Sequence, residues 1–169
     1  MGKPGDHDAW PHAKRLLEAA IEALNREDWG ECERLVYESL DRHPLPQGYL
    51  LLSLMWRQRQ DHDRAMALAH RAVLLDPAFG PAYLEIAVHL IDTGQPQEAV
   101  GFLIKARDAF FQPTPHLVHY YLGRAFEDSG LPEQARDAYR QSLADHSGFV
   151  LARRALKRLK GKPTKEALI

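Results

Sequence analysis

A small residue returns at almost constant intervals along this chain: Cys32, Ala65, Ala99 and Ala135 are separated by 33, 34 and 36 residues. Each closes the same kind of local string, EDWGEC at 27–32, QDHDRA at 60–65, GQPQEA at 94–99 and GLPEQA at 130–135. A recurrence of this length, carrying a turn signal just ahead of the small residue, describes one helix–turn–helix unit repeated about four times. A unit of that kind cannot bury its own apolar face, so the core has to be built between stacked neighbours.

The turn chemistry agrees with this register. Gly94 and Gly130 fall where a helix should end in a left-handed cap, and Pro96 and Pro132 fall in the first turn of the next helix, where a missing amide hydrogen costs nothing. Asp28 and Asp61 stand where the first two units need an N-cap.

The unit at 116–149 carries Leu122-Gly123, then Phe126, Gly130, Ala135, Tyr139 and Leu143. The unit at 80–115 repeats the plan with Tyr83, Ile86, Ala87, Leu90, Gly94, Ala99, Leu103 and Ala106. It runs two residues long and ends in FFQPTP at 110–115. The unit at 46–79 offers Tyr49, Leu52, Ser53, Trp56, Ala65, Ala69, Ala72 and Pro77, and the more degenerate unit at 13–45 has Ala19, Ala20, Ala23, Trp29, Cys32, Val36, Leu40 and Pro44. In this pattern the chain resembles the tetratricopeptide-repeat family. The resemblance implies an all-α fold, a right-handed α-α superhelix (solenoid) of antiparallel helix pairs. It divides the chain into an N-terminal arm and the start of the first helix at 1–12, four repeats, a capping helix at 150–160 and a basic tail at 161–169. Close helix approach needs small residues face to face, so Gly123 is expected to touch Ala135.

In this family partners usually bind a concave face lined by the first helix of each pair. The family's exposed positions fall here on Leu17, Ile21 and Leu24; Leu50, Leu54 and Arg57; Leu84, Val88 and Ile91; and Tyr120, Arg124 and Glu127. Leu51, Leu117 and Tyr121 extend the same wall. The resemblance thus implies a mostly aliphatic peptide-binding groove. The family's two-carboxylate clamp for acidic C-termini needs lysine, asparagine and arginine where this chain has Leu17, Ile21, Leu51, Pro81 and Glu85. An apolar ligand fits better: one face of an amphipathic helix, or an extended segment with hydrophobic side chains. The same leucines are alternatively covered by neighbouring helices, by the arm around Trp10, or by a second copy of the protein in a homo-oligomer.

Signals for chemistry are sparse. His116 and His119 lie three apart and His89 is a candidate neighbour, but two histidines without a carboxylate ligand make an incomplete metal site. The DHD strings at 6–8 and 61–63 sit at or before helix starts, where acidic residues complement the dipole. No phosphate-binding glycine loop, HExxH or GxSxG occurs, so no cofactor or metal and no catalytic residue is expected. The single cysteine excludes an internal disulfide framework and reads as a small buried side chain.

No apolar leader or membrane-length stretch is present, which points to a cytoplasmic protein without membrane contact. The net charge of −1 conceals an asymmetry: residues 150–169 carry +6 and the remainder −7. A solvated cap explains the basic end better than nucleic-acid binding, because interleaved aromatics are missing. The expected function is a non-enzymatic adaptor or scaffold for protein–protein interaction, gripping an apolar or amphipathic peptide. The alternatives are a small secretion-type chaperone that holds hydrophobic client segments and, from a different class, a metal-dependent enzyme.

Overall fold

The computed structural model describes residues 9–160, so the basic tail at 161–169 and the first eight residues of the arm lie outside the described residues. The described chain is all-α, with nine helices and no strand beyond one isolated bridge. The described residues divide into two compact units, 9–77 and 78–160. The first holds α1 (Ala9–Asn25), α2 (Trp29–Arg42), α3 (Pro46–Gln58) and α4 (His62–Leu75), packed as the pairs α1/α2 and α3/α4. The second holds α5 (Gly80–Asp92), α6 (Pro96–Asp108), α7 (Pro115–Asp128), α8 (Pro132–Asp145) and α9 (Val150–Lys160), with α5 on α6, α7 on α8 and α9 against α8.

The turn inside each pair is the same structure four times over. Glu27, Gln60, Gly94 and Gly130 all have positive φ, at 61°, 63°, 80° and 75°. Each lies five residues before its repeat's small residue. The following amide, on Asp28, Asp61, Gln95 or Leu131, donates to the carbonyl of Ala23, Trp56, Leu90 or Phe126 at 2.7–3.0 Å. This is the Schellman closure, and it satisfies carbonyls the helix end leaves over. The expected caps at Gly94 and Gly130 are therefore present, and Glu27 and Gln60 do the same work without glycine's conformational freedom. Asp28 and Asp61 cap the next helix as expected, each accepting a backbone N–H at 3.1 Å from Glu31 and Arg64 respectively.

Three of the four pairs, α1/α2, α3/α4 and α7/α8, are pinned by buried hydroxyls. Ser39 on α2 donates to the Ala13 carbonyl at 2.8 Å, and Ser142 on α8 donates to the His116 carbonyl at 2.7 Å, both across 26 residues. Ser53 on α3 donates to the Ala65 carbonyl at 2.7 Å. Such bonds let a buried hydroxyl sit in an apolar interface without a desolvation penalty.

Close approach is set by size matching at two equivalent positions. Twelve residues before each small residue stand Ala20, Ser53, Ala87 and Gly123, and four residues after it stand Val36, Ala69, Leu103 and Tyr139. All eight are buried. The bulkiest partner meets the smallest residue. A Cβ built on Gly123 would lie 2.5 Å from Cδ1 of Tyr139. The contact that demands glycine is thus with the Tyr139 ring, not with Ala135 as the sequence suggested.

The long ending of the third repeat also has a structural reason. Phe111 pairs with the chain entering α5, with Gly80 N–H donating to the Phe111 carbonyl at 2.9 Å and Phe111 N–H to the Ala78 carbonyl at 3.1 Å. The Phe79 and Phe111 rings stack with centroids 5.9 Å apart. A Cβ on Gly80 would come within 2.8 Å of that same carbonyl, so the added segment needs a glycine opposite it.

These contacts make two stability changes predictable. Gly123→Ala gains about 1 kcal/mol of helix propensity but drives a methyl into a buried ring, and should lower stability by ~1–2 kcal/mol net. In a Tyr139→Leu background, which recreates the Ala87 and Leu103 combination, the same substitution should become neutral or stabilising. Thermal and urea melts of the four proteins would show this change of sign, and an equal loss in both backgrounds would disprove the size matching. Glu27→Gly and Gln60→Gly should each stabilise their unit by up to about 1 kcal/mol through relief of left-handed strain. The same melts would measure that gain.

Candidate functional site

The first unit carries an apolar cleft along α1. Trp10, Lys14, Leu17 and Ile21 follow at helical spacing on one face of this helix. The turn between α2 and α3, with Pro44 and Leu45, and the end of α4, with Leu75 and Asp76, form the opposite side. The open volume is about 640 Å³, large enough for several side chains of a ligand. Trp10 is 50% exposed and Ile21 45%, whereas Leu17 is buried and forms the floor. The Lys14 ammonium lies 5.6 Å from the centre of the Trp10 ring, which holds the indole at the rim.

The other residues singled out from the sequence scatter between core and surface. Leu24 and Leu51 pack against the core of the first unit, built on Leu17, Ala20, Cys32, Val36, Leu52 and Met55. Leu50, Leu54 and Arg57 on α3 are half-buried. In the second unit Leu84, Val88 and Ile91 are buried, at 9%, 5% and 5% exposure, so α5 does not offer the free aliphatic wall that the family pattern predicts. The cause is visible in its sequence: GPAYLEIAVHLID is largely apolar, and such a helix is covered over most of its surface, Glu85 and His89 included.

Leu117, Tyr120, Tyr121 and Arg124 on α7 are half-buried. Tyr120 belongs to an aromatic cluster, its ring centre 5.7 Å from Tyr139 and 5.4 Å from Phe149. Arg124 reaches Asp92 on α5 at 3.5 Å and lies over the Tyr121 ring. Glu127, expected at the groove's polar end, instead ties three helices. It accepts from Tyr139 Oη at 3.0 Å and from Arg158 Nη2 at 2.7 Å. Burial, reinforced by the Glu127 carboxylate, pushes the Tyr139 phenol well above its ordinary value, so it stays a neutral donor.

The histidines have divergent partners. His119 Nδ1 lies 2.6 Å from Asp145 Oδ2, while the His116 ring lies tilted against His146 and meets the edge of Phe149, both with ring centres 5.1 Å apart. His89 is buried on α5. Among the described residues, no three metal-ligating side chains come together. Asp61 of the second DHD string is an N-cap and an ion-pair partner of Arg64, and the string at 6–8 lies outside the described residues. Cys32 is buried as expected, and burial raises its thiol pKa, which keeps it an unreactive core atom. No helix among the described residues is long and apolar enough to cross a membrane.

The cleft on α1 was only partly legible. Leu17 and Ile21 came from the repeat register, but Trp10, Leu45 and Leu75 did not. The signal for Trp10 is its spacing of four, seven and eleven residues from Lys14, Leu17 and Ile21, which puts it on the same face of α1.

No family model matches the chain, and no curated protein matches it. Solved structures do. PilW, a widely conserved type IV pilus biogenesis factor, is 19% identical with a TM-score of 0.81, over 88% of this chain and 68% of that one. TTC0263, a tetratricopeptide-repeat protein of Thermus thermophilus, is 18% identical with a TM-score of 0.72, over 87% and 80% of the two chains. MamA from Desulfovibrio magneticus RS-1 is 18% identical with a TM-score of 0.70, over 88% and 83%. At these identities the likeness is one of fold, and together with the fourfold turn and size-matched pairs it establishes that the chain has the fold of a tetratricopeptide-repeat array.

Proposed function

We propose that the protein is a non-enzymatic interaction adaptor, built of the repeats 13–45, 46–79, 80–115 and 116–149 and closed by α9. Its first unit grips an apolar or amphipathic segment of another protein. The observation that carries this reading is the α1 cleft, where Trp10 and Ile21 stand half-exposed over a leucine floor. A half-exposed tryptophan beside an aliphatic pocket is the kind of anchor that dominates interface energetics. The ligand's apolar side chains would enter between Ile21 and Leu45, with Lys14 and Glu18 at the edge selecting its polar flank. We assign the half-buried Leu50 and Leu54 of α3 to the same ligand. The buried α5 positions Leu84, Val88 and Ile91 are left out of it, and a role for Leu117, Tyr121 and Arg124 is confined to the second unit. The general link between this fold and protein partners supports the reading, and the cytoplasm is the compartment we assign. A client-holding chaperone would use the same cleft with looser sequence demands.

The test replaces the rim and keeps the floor. Trp10→Ser with Ile21→Ser should leave the helical circular dichroism signal intact, because both side chains are half-exposed. Partner capture from cell extract, quantified against wild type, should fall by about tenfold or more, the loss expected when a central anchor is removed. Undiminished capture by the folded variant would refute the cleft as the binding site.

A further inference from the structure

At the end of the second unit, α9 repeats the register of the first helix of a pair. Residues 150–160 align with 116–126 at a spacing of 34, so α9 is the counterpart of α7, the first helix of a pair. On α7 the face formed by His119, Leu122, Gly123 and Phe126 receives α8: His119 meets Asp145, Gly123 meets Tyr139, and Phe126 packs on the cluster around Tyr139. The same face of α9 carries Arg153, Leu156, Lys157 and Lys160. No second helix packs there among the described residues. What remains is an open cleft of about 650 Å³ between α8 and α9.

The charge of this cleft is one-sided. Arg136 and Arg140 from α8 join Arg153, Lys157 and Lys160 from α9, against the single carboxylate of Glu133. Arg136 pairs with Glu133 and donates to the Leu159 carbonyl at 3.0 Å, and Arg140 pairs with Asp137 at 2.8 Å. Lys157 stands where the four repeats have Ala20, Ser53, Ala87 and Gly123, and has no ion-pair partner among the described residues. A lysine there prevents the tight, apolar closure of an ordinary pair. It favours instead a helix that brings its own negative charge. Leu156, half-buried in the cleft, supplies one apolar contact.

We propose that this cleft docks an acidic amphipathic helix of a partner protein, seated on α9 as α8 is seated on α7. Its carboxylates meet Arg140, Arg153, Lys157 and Lys160, and one apolar side chain covers Leu156. The site lies wholly within the second unit and does not depend on the α1 cleft. Arg158 is not part of it, because its guanidinium is engaged by Glu127.

The probe is a fluorescein-labelled helical peptide of glutamate, alanine and leucine, the length of α8 at 14 residues, with its glutamates flanking one leucine stripe. Anisotropy titrations with the full chain should show binding that weakens as salt rises, as screening requires. Arg140→Glu with Lys157→Glu should weaken it by about tenfold or more, as expected for paired charges in a shared cleft. Lys105→Glu, on the exposed face of α6, should leave it unchanged. If the double reversal loses its helical signal, Arg140→Gln with Lys157→Gln replaces it and should weaken binding several-fold. Unchanged binding by a folded cleft variant would overturn the proposal. So would equal binding of a scrambled peptide with glutamates all round, of a single-stranded oligonucleotide of the same charge, or of phosphatidylserine vesicles, since each would show a charge effect without a docked helix.

Discussion

Two helices can approach only as closely as their smallest facing side chains permit, and the helix pairs of this chain depend on that limit. At the tightest position the limit is reached: Gly123 has no room for a methyl group because the Tyr139 ring lies against its backbone. The equivalent sites divide the same space differently, with Ala20 and Val36, Ser53 and Ala69, and Ala87 and Leu103. A constant helix spacing is therefore compatible with divergent residues, provided that one member of each set shrinks as the other grows.

The largest of these side chains also connects the C-terminal helices electrostatically. Tyr139 could not be buried with an idle hydroxyl, and it donates that hydroxyl to Glu127. Glu127 in turn holds Arg158, so α9 is fastened to α7 and α8 by a chain of charge-assisted bonds as well as by Ala152, Ala155 and Leu159 in the core. Arg136 completes the fastening by donating to the Leu159 carbonyl, one of the groups that a helix end leaves without an internal partner. Two of the cations near this end are thus structural. The surplus that remains is concentrated between α8 and α9.

The sequence exposed most clearly those features that repeat. The left-handed caps at Gly94 and Gly130, the aspartate N-caps and the buried Cys32 follow from chemistry that a turn or a close contact enforces locally. Glu27 and Gln60 adopt the same left-handed turn, and only the alignment of all four repeats reveals them, because neither residue type advertises it. Side-chain partnerships across many residues were less legible. The reach of Arg158 to Glu127 and of Phe111 to Ala78 and Gly80 is decided by three-dimensional placement. The family's groove positions on α5 fall on buried residues, because they describe an average repeat, whereas this helix is largely apolar and buries even Glu85 and His89.

These departures from the average repeat are also where binding can be specific. An internal pair has its receiving face filled, so its residues answer chiefly to packing. The α1 cleft and the α8–α9 cleft are free of that demand, and their chemistries diverge accordingly. One offers Trp10 and Ile21 over a leucine floor, and the other offers Arg140, Arg153, Lys157 and Lys160 around a single leucine. Apolar contact stabilises a complex without much regard to salt, whereas the cationic cleft loses its pull as ionic strength rises. The two surfaces would therefore respond to different properties of their partners: shape and hydrophobicity at α1, and charge at α9.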